Sequence, residues 1–244
     1  MKASPDAQRR LLDLQAVDTA LAQLAHRRKS LPELAEIDAV ARELSALEDE
    51  RVRAQVAVDD LDRDISRYEK DIEQVRIRKD RDQKRLAAGG ALREIEGLQH
   101  ELATLNRRQS ELEDAELELM EQRETAEATL TEVQGRISAA VTRRSEAERK
   151  RDEAYDEITK EQEFKTAARV PLAADLPADL VTLYDKIRTE SGLGAALFRA
   201  GRCGGCRIEL YGADLNRVKS APADEVVRCE ECRRIMVRTS ESGL

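Results

Sequence analysis

Two arrays of apolar residues, each advancing by alternate steps of four and three and separated by Gly89-Gly90, constrain this chain more than any other feature. The first runs through Leu47, Val58, Leu61, Ile65 and Ile72 to Leu86, and residues 14–24 and 34–44 follow the same rule. The second runs through Leu102, Leu105, Leu112, Leu130 and Val133 to Ala140, then fades towards Ile158. A mean step of 3.5 residues keeps one stripe of a helix against a partner helix. Two consecutive glycines are poor in a helix interior and mark a chain reversal. The pattern predicts an antiparallel coiled-coil helical hairpin over 1–170 with its tip near 87–91. Such a turn sets residue i opposite about residue 179 minus i, so that Pro171, expected to stop the second helix, lies near the start of the first. Pro32, after Ser30-Leu31, predicts a kink or break in the first arm.

Composition agrees with long helices sharing a narrow seam, because charged residues make up 38% of the chain, aromatics 2%, and Trp is absent. Polar residues on the stripe (Arg51, Lys79, Asp82, Gln109, Glu116, Arg123 and Arg144) are expected to fix register. The same kind of seam is compatible with a homodimer of hairpins.

Residues 171–194 read as a linker and a short helix, with Asp175 as cap, Pro177 as first helical residue, and Gly192 and Gly194 as terminators. Beyond them, the short apolar runs 195–199, 208–210, 226–228 and 235–238 predict a small β ribbon over 195–244. The expected fold class is therefore mainly α, a hairpin followed by a ribbon.

All four cysteines flank those runs as Cys203-x-x-Cys206 and Cys229-x-x-Cys232, with 22 residues between the pairs. Two tight turns bring four thiolates onto one ion, with Gly204 and Gly205 supplying backbone freedom in the first. Disulfides, a dithiol redox site and an iron-sulfur cluster are the competing readings. Four soft ligands beside β-prone runs, with no thioredoxin-like βαβ unit, favour a single structural Zn2+. Four thiolates leave no open position for water or substrate.

His26 and His100 stand in helical segments without metal-ligating neighbours, and no phosphate loop or nucleophile motif occurs, so an enzyme and a small-molecule substrate are not expected. No apolar run reaches membrane-spanning length and the start lacks a signal-peptide core, so a cytoplasmic protein without membrane attachment is expected. The formal charge is -8, yet residues 199–238 hold nine basic and six acidic side chains. Arg202, Arg207, Arg233 and Arg234 are thereby candidates for RNA or DNA contact, against the plainer reading of a solvated surface.

The stretch Gly201-Arg202-Cys203-Gly204-Gly205-Cys206, and the segment Arg93-Glu94-Ile95-Glu96-Gly97-Leu98-Gln99-His100-Glu101-Leu102 just past the glycines, resemble a bacterial family of coiled-coil proteins. That family ends in a four-cysteine (C4-type) zinc ribbon and is catalogued as a domain of unknown function. The resemblance covers essentially the whole chain. It implies that Cys203, Cys206, Cys229 and Cys232 are the zinc ligands and that Glu94, Leu98 and Glu101 shape a partner-binding tip. It also implies a non-enzymatic adaptor or chaperone for a protein partner, such as an alternative sigma factor or flagellar or secretion components, with RNA binding in some members.

Overall fold

The computed structural model describes residues 1–243; Leu244, the last residue of the expected ribbon segment, lies outside the described residues. Its elements are α1 (Pro5–Lys29), α2 (Pro32–Ala88), α3 (Leu92–Ala174), α4 (Ala178–Ser191), β1 (Ala195–Arg199), β2 (Arg202–Cys203), α5 (Gly212–Ser220), β3 (Val227–Arg228) and β4 (Ile235–Val237). Helix α1 ends where the N–H of Ser30 donates to the carbonyls of both His26 and Arg27 at 3.1 Å. Pro32 then opens α2, a position where a missing N–H costs nothing. Residues 89–91 alone join α2 to α3, and Gly89 takes a φ of 81°, which a side chain disfavours.

The chain packs as two compact units, residues 35–148 and residues 1–34 with 149–244. In the unit of 35–148, α2 buries Val40, Leu47, Val58 and Ile72, and α3 buries Leu98, Leu112, Leu130, Val133 and Ala140. Most of these lie on the two heptad arrays. Lys79 donates to Gln109 at 2.6 Å, so two polar stripe residues do meet across the seam. Arg123–Asp62, Arg136–Glu50 and Arg143–Glu43 also pair across it. Each of these carboxylates lies six or seven positions nearer the turn than a register of 179 minus i places it. Side chains on both helices lean towards their own N-termini. In an antiparallel pair the α3 arginine therefore leans towards the turn and the α2 carboxylate away from it.

The unit of 1–34 and 149–244 holds α1, the last part of α3, α4 and the ribbon. Its four-stranded sheet has the order β2-β1-β4-β3, with β1 parallel to β4 and the outer pairs antiparallel. One face of the sheet joins a helical core, where Ala195, Ile235 and Val237 meet Leu11, Leu14, Leu180, Tyr184 and Ile187. The other face carries Phe198 and Met236 into a second core with Cys203, Cys229, Leu210 and Val218. Alternation along β4 makes this division, since successive side chains point to opposite faces.

Polar ties accompany the helical core. Asp18, with a side chain 1% exposed, accepts from Arg169 at 2.7 Å and from the Tyr184 hydroxyl at 2.8 Å. Arg169 also reaches Asp185 at 2.6 Å. Burial and the Asp18 hydrogen bond push the Tyr184 phenol well above its ordinary range, so it stays a neutral donor. One heptad apart on α1, Gln8 and Gln15 address the ribbon backbone. Gln8 donates to the carbonyl of Ala223 at 3.1 Å, and Gln15 Oε1 accepts from the N–H of Gly194 at 2.7 Å.

Three expectations are corrected. Pro171 does not stop α3, which runs on to Ala174, because a proline removes only its own N–H while its carbonyl still accepts from Asp175 at 3.0 Å. Pro177 is the N-cap of α4, not its first residue, and Asp175 faces Arg10 at 3.3 Å instead of capping. The expected strand 208–210 is absent among the described residues. Glu209 makes a single bridge to Arg202, and Leu210 is drawn into the second core.

Candidate metal centre

Both cysteine pairs sit in the same local turn. In the first, the N–H of Cys203 donates to Ile208 O at 3.1 Å and that of Arg207 to Cys203 O at 2.7 Å. In the second, the N–H of Cys229 donates to Arg234 O at 3.0 Å and that of Arg233 to Cys229 O at 2.9 Å. The residue after the second cysteine is left-handed in each turn, Arg207 at φ 63° and Arg233 at φ 61°. The expected role of the glycines is thereby corrected. Neither Gly204 nor Gly205 has a positive φ, and what they provide is room: a Cβ on Gly204 would lie 2.6 Å from the carbonyl of Leu197.

The four Sγ atoms lie within 4.8 Å of one another, with Cys203–Cys232 at 3.8 Å and Cys206–Cys229 at 3.9 Å. A tetrahedral ion with Zn–S bonds of about 2.3 Å separates its sulfurs by about 3.8 Å, whereas a disulfide needs about 2.05 Å. The donor set fits one structural Zn2+, held by Cys203, Cys206, Cys229 and Cys232. Burial pushes the Cys203 thiol up to about 12 and raises Cys229 as well. At Cys232 burial also acts upwards, but the N–H of Arg234 and the neighbouring thiols outweigh it and the thiol is lowered. A bound cation replaces those protons, so zinc affinity rises with pH.

The surrounding ribbon is fastened by an arginine that sequence reading missed. Arg238 donates to the carbonyls of Ala221 and Pro222 at 2.6 Å, Glu225 at 2.9 Å and Val218 at 3.2 Å. It thus holds the end of α5, the helix that lies between the two cysteine pairs.

The candidate nucleic-acid arginines fare unequally. Arg202 pairs with Glu209 at 2.8 Å, Arg233 lies 3.6 Å from Glu230, and Arg234 turns to the carbonyl of Ser191 at 2.9 Å. Among the described residues, Arg207 is the one of the four without an ion pair or side-chain hydrogen bond. The candidate tip residues are also occupied. Glu94 faces Arg85 at 3.5 Å and Glu101 pairs with Arg78. Leu98 is 6% exposed, so the structure uses it for packing the seam and not as an accessible contact. A large apolar side chain that is displayed near the turn is Leu92, 75% exposed.

A family model described as a CT398-like coiled coil hairpin domain matches residues 14–192, and one described as a C4-type zinc ribbon domain matches 202–236. A Mycobacterium tuberculosis protein, Rv2229c, is 39% identical over 239 residues, which is 98% of either chain. A Mycobacterium leprae protein, ML1638, is 30% identical over 222 residues, 91% of this chain and 96% of that one. A solved structure from Mycobacterium smegmatis, 38% identical, covers 98% of this chain and 100% of its own with a TM-score of 0.88. CT398 from Chlamydia trachomatis shares the fold at a TM-score of 0.70 and 21% identity, over 96% of this chain and 98% of its own. With the hairpin, the ribbon and the four convergent thiols in the same order, this chain belongs to the family of CT398-like coiled-coil hairpin proteins with a C4-type zinc ribbon.

Proposed function

We propose that this protein is a non-enzymatic adaptor or chaperone whose helices bind a protein partner, in the class of sigma-factor or secretion components. A metal site closed by four thiolates gives no position for substrate at the ion, which supports surface recognition as the role for the fold. The observation that carries the reading is the exposure of large apolar side chains on α3. Phe164, one of two phenylalanines in the chain, is 70% exposed, and Val170 on the same helix is 65% exposed. Exposed aromatic anchors of this kind are what protein interfaces use.

A photo-crosslinking amino acid placed at Phe164, and separately at Leu92, tests this in cells. A discrete, stoichiometric protein adduct from at least one position is expected. Adducts from neither position, with the zinc-loaded protein correctly folded, overturn the reading.

RNA or DNA binding through the ribbon is the alternative, and Arg207 is the observation on its side. It predicts affinity that falls steeply with salt and drops in Arg207→Ala. No binding at low salt removes it.

A further inference from the structure

Strands β1 and β4 are the wall between the metal core and the helical core. Ile235 and Val237 face the helices while Met236, between them, faces the cysteines. Both cysteine turns are bonded to this wall. The N–H of Gly204 donates to Leu197 O at 2.9 Å, and Arg234, whose carbonyl accepts from Cys229, leads directly into β4. On the other side the wall covers Leu11, Leu14, Leu180, Tyr184 and Ile187, each no more than 3% exposed. The helices have a separate tie. Asp18, Arg169, Asp185 and the Tyr184 hydroxyl join α1, α3 and α4 through side chains alone. Leu24, Leu31 and Ile158 add an apolar cluster to which the ribbon contributes no member.

We propose that the zinc centre is a redox-released clasp, whose oxidation unfolds the ribbon and bares the Leu11, Leu14, Leu180, Tyr184 and Ile187 face while the helices stay assembled. Cys206 and Cys232 are partly exposed, and each has a buried partner within reach, Cys229 at 3.9 Å and Cys203 at 3.8 Å. With hydrogen peroxide as oxidant, the exposed thiolate attacks the O–O bond, forming an S–O bond and releasing one oxygen as water after protonation. The partner thiolate then attacks that sulfur, the S–S bond forms, and the second oxygen leaves as water. Two electrons pass from the two sulfurs to the peroxide, and two protons are taken up from solvent. A disulfide no longer donates as a thiolate, so the ion loses half its ligands and departs. A cysteine ribbon with so small a core does not hold its fold without the metal.

The test uses the zinc-loaded full chain, treated with hydrogen peroxide and followed by zinc release, disulfide mapping and hydrogen exchange. One zinc per chain should be released, with amide protection lost across 195–237 and kept along α1, α3 and α4. Protection around Ile158 should persist, a hydrophobic dye should bind, and thiol reductant with zinc should reverse every change. A chelator without oxidant should reproduce the same exposure pattern. Zinc release that leaves 195–237 protected, or that gives no dye-binding surface, overturns the clasp. So does loss of protection around Ile158 at the same time, which means unfolding of the whole unit, and so does zinc retained through peroxide treatment.

Discussion

The two compact units bury charge in opposite ways. In the unit of 1–34 and 149–244, Asp18 is closed off from water but meets Arg169, Tyr184 and Arg188, the last at 3.4 Å. In the unit of 35–148, Asp82 is equally buried, yet neither carboxylate oxygen has a hydrogen bond. Its ion-pair partners, Arg81 at 3.5 Å and Arg85 at 4.0 Å, reach it from exposed positions and make no hydrogen bond. A partnered buried charge specifies one arrangement of three helices. One on a two-helix seam with no hydrogen bond, paired only to exposed arginines, costs stability and serves at most as a register mark.

The largest expected effect separates the units outright. Zinc removal, or Cys229→Ser, should abolish the ribbon fold while the helicity of 35–148 survives. Structural zinc sites contribute about 10–16 kcal/mol of apparent binding free energy at neutral pH. Far-UV circular dichroism with hydrogen exchange reads this, and a chelated protein that keeps ribbon protection would sink the assignment. Zinc affinity measured by competition should also weaken as pH falls, because each thiolate that leaves the ion takes up a proton.

Next comes Asp18→Ala, which removes the buried acceptor shared by Arg169, Arg188 and the Tyr184 hydroxyl. It should cost about 3–5 kcal/mol, the range for breaking a buried ion pair, seen as a lower urea midpoint for the first unit alone. The opposite sign is expected in the second unit. Asp82→Leu should stabilise it by about 1–4 kcal/mol, and a loss there would show that the pairs with Arg81 and Arg85 outweigh the cost of burying the carboxylate. The smallest effect tests the cysteine turns. Arg207→Gly should relieve about 1 kcal/mol of left-handed strain, visible as a higher zinc-loaded melting temperature.

Legibility followed the range of the interaction. The arrays and glycines specify a hairpin because a heptad stripe is a local pattern that only another stripe satisfies. The cysteine pairs specify the zinc site because each Cys-x-x-Cys turn is made by adjacent residues. Leu98 entered the tip only through the resemblance, and a leucine near a turn looks alike in sequence whether it packs a seam or faces a partner; here it is buried. Helix α5 was missed because it is nine residues long and is held by Arg238, a residue 18 positions beyond its end.

By itself the sequence determined the helical hairpin, the four ligands and the order of the modules. Only the tertiary structure decided that Gln8 and Gln15 hold the ribbon, that Asp18 joins three helices, and that β4 divides two cores. Those contacts link residues up to 215 positions apart. The ribbon partners of Gln8 and Gln15 are backbone carbonyls and amides, which no sequence pattern marks, and those of Asp18 are side chains more than 150 positions away.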